Sequence, residues 1–129
     1  MRYLSLDVGT RRTGIAYLDT DVGIPLPLDT IKHLTEEQLI EDVLKIVGER
    51  TIDHVIVGLP LLLSGAEGEQ AAYSRHVGEL LSSRGVRVRY RYERQTTPRQ
   101  IHHKNALPTK GIDGDSVAAC AILSQKTDI

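Results

Sequence analysis

The stretch HVIVGLP at 54–60 constrains the fold of this chain most, because it is almost continuously apolar and rich in β-branched residues. Such a run is typical of a strand that is buried on both faces of a sheet. Helical patterns lie on either side of it: a capping box at 35–38 opens a helix to about Gly48, and a second helix is predicted over 69–83. Because strands that alternate with helices pair in parallel, the sequence predicts an α/β fold.

The remaining patterns add four strands to this core. Strands at 2–7 and 13–19 form a predicted antiparallel pair, and a third at 24–30 is confined to a sheet edge by its two prolines. VRVRYRY at 86–92 alternates as a strand should, and short helices are predicted after 97 and from about 115. We therefore expect a mixed β-sheet with helices packed on it.

The size and cysteine content of the chain limit the classes to which it can belong. Its 129 residues, 40% hydrophobic and 26% charged, suit one compact domain over 1–129. A single cysteine excludes an internal disulfide and a metal site built on cysteine pairs. Since no apolar run is long enough for a signal peptide or a membrane span, we expect a cytoplasmic protein without membrane contact.

The net charge of −1 conceals a strong segregation of charge. From Arg84 to Lys110 the chain has eight lysines and arginines and one acid, so this segment carries +7 and the remainder −8. One interpretation is a face that binds a polyanion such as nucleic acid. The other is an ordinary solvated surface that acidic neighbours balance in space.

Three acidic residues stand at the ends of predicted elements. Asp7 ends the first strand before a glycine turn, Glu93 follows the fifth strand, and Asp115 opens the last helix. Functional sites of α/β sheets gather at the carboxyl ends of strands, so these carboxylates converge if the first and fifth strands are neighbours. A cluster of carboxylates suits Mg²⁺ or Mn²⁺, and two such ions about 4 Å apart would support phosphodiester hydrolysis.

Each acid also has a structural explanation. Asp7 can support the tight turn that follows it, and Glu93 can pair with a neighbouring arginine. Asp115 can serve as a helix N-cap, and Asp113 competes with it for the metal-binding role.

A specific set of motifs spans essentially the whole chain. They are, in order, LSLDVGTRRTGIA (4–16), PLDTI (27–31), VIVGLPLLLSGAEGEQ (55–70), YERQTT (92–97) and DSVAACAIL (115–123). With these motifs the chain resembles the YqgF-type family of Holliday-junction-resolvase-like proteins, which are also named as pre-16S ribosomal RNA nucleases.

The resemblance implies a ribonuclease-H-like fold and a metal-dependent endonuclease. Asp7, Glu93 and Asp115 are the implied catalytic and metal-binding carboxylates, with Mg²⁺ or Mn²⁺ in a two-ion site. The implied substrate is structured or single-stranded RNA, with 5′-end processing of pre-16S rRNA in the small ribosomal subunit precursor, or else branched DNA. A monomer and a homodimer are both compatible with the sequence.

Further residues are candidates for substrate contact. Arg11, Arg94 and Lys110 are expected to contact phosphates, and Thr10 and Thr96 to orient backbone or substrate. His102 and His103 can be proton donors or exposed bystanders.

The chain departs from the family pattern at two places. Tyr92 replaces the acid that usually precedes Glu93, and Leu62 replaces the asparagine of the loop after the buried strand. The second change puts substrate contacts by that loop in doubt, and the apolar Leu61–Leu63 can pack against a partner instead.

Two other functions remain open. Asp-x-Gly-Thr after a strand also begins the actin-like and sugar-kinase phosphotransferases, but these have two such domains and a Gly-Gly motif that this chain lacks. A non-catalytic nucleic-acid-binding or ribosome-assembly module would use the same basic segment. Substitution of Asp7 separates the second alternative from a nuclease, because a binder should tolerate it.

Overall fold

The computed structural model describes residues 1–94, 119, 120, 122 and 123. Five strands and two helices follow one another along the first 94 residues. In chain order they are β1 (Arg2–Asp7), β2 (Arg12–Asp19), β3 (Leu26–Lys32), α1 (Glu36–Arg50), β4 (His54–Leu61), α2 (Glu69–Ser83) and β5 (Val88–Arg94). The predicted short helix after 97 lies outside the described residues.

The strands form one mixed sheet in the order β3-β2-β1-β4-β5. β1 pairs antiparallel with β2 and parallel with β4, and β5 continues the parallel part beside β4. The predicted mixed sheet is therefore confirmed, and so is the edge position of the proline-containing third strand. That strand begins two residues later than expected, at Leu26, because Pro25 lies before the paired residues.

One face of the sheet packs against both helices. Leu4, Leu6 and Ile15 meet Leu39 and Val43 of α1 there, and Val77 and Leu81 of α2 complete the cluster. Burying aliphatic side chains of this size contributes roughly 1.5–3 kcal/mol each. Since Phe and Trp are absent from the chain, branched aliphatic residues supply most of this core.

The opposite face is covered by helical residues near the C-terminus. Ala119, Cys120, Ile122 and Leu123 are buried against Tyr3, Ala16, Leu18 and Ile56. The Ser5 hydroxyl, itself buried, donates a hydrogen bond of 2.7 Å to the Ala119 carbonyl. Helical elements thus lie on both faces, and β4 is buried over its first six residues, as its sequence predicts.

Local sequence explains where α1 begins and ends. Thr35 is its N-cap, with the hydroxyl accepting from the Gln38 amide at 3.1 Å, and the Gln38 side chain accepts from the Leu34 amide at 2.6 Å. The helix ends at Thr51, which adopts the left-handed conformation with φ 54°. Within the described residues, no helix is long and apolar enough to cross a membrane.

Candidate active site

Asp7 and Glu93 lie on the face of the sheet that the C-terminal helical residues cover. Side chains alternate along a strand, so Asp7 shares its face with Tyr3 and Ser5, which contact those residues. On β5 the alternate residues Val88, Tyr90 and Tyr92 face α2, which leaves Glu93 on the same face as Asp7.

The two carboxylates do not come from neighbouring strands. Adjacent first and fifth strands would bring them together directly, but β4 lies between β1 and β5. That condition is not met, because the crossover through α1 returns the chain to the edge of β1 before β5 is added.

Gly58 of β4 lets the carboxylates approach across the intervening strand. The register that pairs Leu6 with Val57 brings Asp7 level with Gly58, and Gly58 pairs with Arg91, two residues before Glu93. A Cβ added at Gly58 would lie 2.8 Å from the Glu93 Oε2 atom and 2.7 Å from the Ile122 Cδ1 atom. The Glu93 carboxyl group thus occupies the space that a side chain on β4 would fill.

The electrostatics of Glu93 reflect this placement. Burial raises the pKa of Glu93 to about 7, and the negative charge of Asp7 adds to the shift. Asp7 itself is partly buried at the end of β1. Because both groups favour a nearby positive charge, this end of the sheet is suited to a cation.

The turn after Asp7 requires glycine. A Cβ on Gly9 would overlap the Arg12 carbonyl oxygen, so the backbone approaches too closely for any other residue. The Gly9 amide donates to the Thr13 hydroxyl at 3.5 Å, and Thr13 Oγ1 is hydrogen-bonded to buried His33 Nε2 at 2.9 Å. The Gln70 side chain donates to the Val8 carbonyl from α2. The turn is therefore held from two neighbouring elements.

The predicted substrate-contact residues are only partly described by the structure. Thr10 and Arg11 are exposed in the turn that follows Asp7. Arg94 ends β5, one residue after Glu93, and its side chain lies outside the described residues. Thr96, Lys110, Asp113 and Asp115 also lie outside them, as do His102 and His103.

The third predicted carboxylate consequently stays a prediction. Among the residues that the structure describes, no group of three or more His, Cys, Asp or Glu side chains is placed to hold a metal ion. Ala119, four residues after Asp115, contacts Ser5, two residues before Asp7. This contact brings the C-terminal segment to the same face as the Asp7–Glu93 pair.

Tyr92 lies on the face opposite the carboxylate pair. Its hydroxyl donates to Glu67 Oε2 at 3.1 Å and accepts from Arg75 Nη2 at 3.0 Å. Arg75 also contacts Glu67 through two hydrogen bonds of 2.8 Å. The replacement of an acid by Tyr92 therefore removes no carboxylate from the Asp7–Glu93 face, and it ties the end of β5 to the start of α2.

The loop after β4 retains the exposed apolar residues that the sequence suggested. Leu61 is the last residue of the strand, whereas Leu62 and Leu63 are 46% and 77% exposed. Leu62 accepts from Gly65 and donates to Ala66 through the backbone, and its side chain lies over Gly68.

Sequence reasoning did not assign a role to Gly58. The available signal was a glycine inside an otherwise continuous buried strand, which marks a close approach by another group. It was overlooked because the Gly-Leu-Pro motif was used only to establish the resemblance.

A cleft of about 520 Å³ lies away from the carboxylate pair, between α1 and α2. Its lining includes Glu36, Glu37 and Glu41. An acidic lining opposes a polyanion, so this cleft does not compete with the Asp7–Glu93 face as a nucleic-acid site.

The sheet order and the helices on both faces define the class of fold. Structures of RuvC from Thermus thermophilus superpose with TM-scores of 0.62 and, for RuvC in complex with Holliday junction substrate, 0.60. Each superposition covers 95% of this chain and 90% or 89% of the other, at 15% and 17% identity. The chain therefore has the expected ribonuclease-H-like fold.

The family follows from the sequence as a whole. Residues 1–128 match the RuvX family, described as Holliday junction resolvase, and the chain belongs to this family. The predicted family resemblance is thereby confirmed over essentially the whole chain.

Curated relatives carry a second functional name. A Chloroflexus aggregans protein named "Putative pre-16S rRNA nuclease" is 36% identical over 97% of this chain and 92% of its own length. A Sulfurihydrogenibium protein of the same name is 32% identical over 98% of this chain and 90% of its length. A Chloroflexus aurantiacus relative is 42% identical over 80 residues, and the chain spans only about half, 52%, of its length.

Proposed function

We propose that this chain is a metal-dependent endonuclease that hydrolyses phosphodiester bonds in structured nucleic acid. Its proposed substrate is the 5′ end of pre-16S rRNA. The observation that carries the proposal is the Asp7–Glu93 pair, brought together over Gly58 on a ribonuclease-H-like sheet. Membership of the RuvX family and the names of the relatives support the same activity.

The residues present fit a divalent metal ion. Carboxylate oxygens are the ligands that Mg²⁺ and Mn²⁺ prefer, and burial together with the charge of Asp7 raises the pKa of Glu93, a cost that a bound cation would offset. Asp7 and Glu93 would hold the metal, with Asp115 as the third ligand that the family resemblance implies. When bound, a pair of such ions supplies an activated water and stabilises the leaving oxygen of the phosphodiester.

The chain's own groups bind and orient the substrate. Exposed Thr10 and Arg11 follow Asp7 in the turn and provide a hydroxyl and a positive charge there. Arg94, Thr96 and Lys110 are the further proposed contacts. These groups act within a single domain, 1–129, in the cytoplasm, as a monomer or homodimer.

Branched DNA is the second candidate substrate. It is favoured by the family description, Holliday junction resolvase, whereas the names of the curated relatives favour precursor rRNA. The chemistry at the carboxylate pair would be the same on either nucleic acid, so substrate shape decides between them.

The test compares cleavage of an end-labelled 5′ segment of pre-16S rRNA with that of a four-way DNA junction. Each is incubated with Mg²⁺, Mn²⁺ or EDTA, using the wild type, Asp7→Asn and the control Asp21→Asn, which changes an exposed acid of the β2–β3 turn. We expect metal-dependent cutting that Asp7→Asn reduces at least a hundredfold and Asp21→Asn leaves unchanged.

Binding distinguishes the nuclease from the non-catalytic module. Asp7→Asn should still bind the preferred substrate. If neither substrate is cut by the wild type under any condition while salt-sensitive binding remains, the chain is a binding module and the nuclease proposal is wrong.

A further inference from the structure

Three arginines form a row along β5 on the same face as Glu93. Arg87 immediately precedes β5, and its carbonyl accepts from the Val55 amide, so it continues the strand beside β4. Arg89 and Arg91 follow at alternate positions and pair with Ile56 and Gly58. The intervening residues face α2, so the three guanidinium groups share one side of the sheet. We call these residues the β5 arginine row.

The charges of the β5 arginine row are not balanced by acids in the described part of the chain. Other arginines form ion pairs there: Arg2 with Asp19, Arg75 with Glu67 and Arg84 with Glu41. No such pair involves a member of the row within residues 1–94.

Arg91 shows an unsatisfied donor. Its Nε atom is buried and has no hydrogen-bond partner among the described residues. Among the described residues no acceptor meets this donor, and an unpaired buried donor costs free energy of about 1–3 kcal/mol.

Buried His54 reports the electrostatic potential beside the row. Its ring stacks on Tyr3 with centroids 5.6 Å apart. Burial lowers the pKa of His54, the charges of Arg89 and Arg87 lower it further, and Asp53 opposes them. The positive potential of the row therefore reaches a neighbouring strand and is not cancelled by the nearest acid.

We propose that the β5 arginine row is a phosphate-binding track for a nucleic-acid backbone that leads to the Asp7–Glu93 pair. Alternate residues of a strand are about 6.6 Å apart, so the row offers successive positive charges along one line. The line runs towards Glu93, which is the next residue of β5 on this face after Arg91. Arginine binds phosphate through paired donors, and such contacts position the backbone without reading its sequence. The inference rests on the proposed function for the identity of the anion.

The test measures binding with the non-cutting Asp7→Asn protein, so that cleavage does not disturb it. Fluorescence anisotropy gives the Kd for labelled single-stranded RNA and for the four-way DNA junction over a range of salt concentrations. Arg89→Gln is compared with Arg84→Gln, which removes one charge from the same basic segment at an exposed ion pair on the other side of the sheet.

We expect Arg89→Gln to weaken binding about tenfold and Arg84→Gln to change it less than twofold. Arg87→Gln combined with Arg89→Gln should reduce the slope of log K against log salt by about 1.4 for single strands and 1.8 for duplex arms, the value for two phosphate contacts. The substrate whose binding is weakened more is the one whose backbone follows the arginine row.

Two results would overturn the row as a phosphate site. One is a double variant, folded by circular dichroism, whose Kd and salt slope match those of Asp7→Asn alone. The other is an NMR titration in which saturating nucleic acid leaves the His54 pKa unchanged, since a phosphate at Arg87 and Arg89 must raise it.

The outcome is separable from that of the nuclease proposal. Loss of binding in the double variant, combined with no cleavage by the wild type, would leave the track standing and remove the enzyme. Cleavage by the wild type, combined with unchanged binding by the double variant, would support the nuclease and exclude the phosphate-binding track.

Discussion

Gly58 determines how closely the two carboxylates approach, because any side chain there would compete with Glu93 for the same space. The added Cβ would lie less than 3 Å from both Glu93 Oε2 and Ile122 Cδ1. One of these atoms belongs to a carboxylate that we propose binds the metal, and the other belongs to the segment that packs on this face. A single glycine therefore connects packing to the proposed chemistry.

We expect Gly58→Ala to destabilise the fold by about 1–3 kcal/mol, the usual cost of an extra methyl group in a packed interior. Cleavage should fall by more than the loss of folded protein explains, because Glu93 must move away from Asp7. Urea unfolding and cleavage rates measured on the same samples check both effects.

Gly48→Ala is the matched control. Gly48 is an exposed residue of α1, and a Cβ there meets nothing within 4 Å. Alanine should stabilise the helix by up to about 1 kcal/mol and leave cleavage unchanged. If Gly58→Ala behaves like its control, the close approach of Glu93 to β4 is not required.

At the scale of elements, the β1–β2 turn depends on a residue that is distant in sequence. His33 follows β3, yet its ring reaches Thr13 on β2, whose hydroxyl accepts from Gly9 in the turn. Its Nδ1 atom is buried without a partner among the described residues, and burial lowers the pKa of the ring. The turn beside Asp7 is thus supported by the edge strand.

Thr13→Val should therefore destabilise the fold by about 1–3 kcal/mol, because it leaves His33 Nε2 and the Gly9 amide without a partner. His33→Leu alone should have a similar effect, while the double variant should lose much less than the sum, since both polar groups are then absent. Chemical unfolding of the four proteins measures this coupling. Additive losses would show that the hydrogen bond does not support the turn.

The elements themselves were largely predictable, whereas their order in the sheet was not. The continuous apolar run at 54–60 and the alternation at 86–92 are patterns typical of β-strands and of few other secondary structures. Which strands are neighbours depends on the crossover connections, which place β4 between β1 and β5. The sequence placed Asp7 and Glu93 at the correct strand ends, but only the packing showed that Gly58 makes room between them.

At the scale of the whole molecule, the site draws on parts of the chain that are far apart in sequence. Asp7 comes from the first strand, Glu93 from the last strand of the sheet, and Ile122 from the segment that covers them. The charge composition of residues 84–110 predicts a basic segment. The structure places three arginines of that segment in a row on the face of the sheet that holds Asp7 and Glu93. Folding therefore places positive charges and the two carboxylates on one face of the sheet.

The stability of the molecule without divalent ions should depend on pH through Glu93. Its pKa in the folded state, about 7, lies above the ordinary value of 4.5, so the folded state binds the proton more tightly than the unfolded state. This contribution is fully present below pH 4.5, is lost as the pH rises towards 7, and then stays constant. The difference of about 2.5 in pKa corresponds to at most about 3–4 kcal/mol.

Glu93→Gln should remove this dependence. In EDTA, the free energy of unfolding of the variant minus that of the wild type should grow between pH 5 and pH 8, and the subtraction cancels the contributions of buried His33 and His54.

Mn²⁺ at pH 8 should stabilise the wild type by about 1.4 kcal/mol for each tenfold excess over its Kd, and should not stabilise Glu93→Gln to the same extent. A wild type that is equally stable with Mn²⁺ and with EDTA would show that the Asp7–Glu93 face does not bind the ion. Since the ion would be held by the two outer strands of the parallel part of the sheet, β1 and β5, its binding energy is folding energy for the whole molecule.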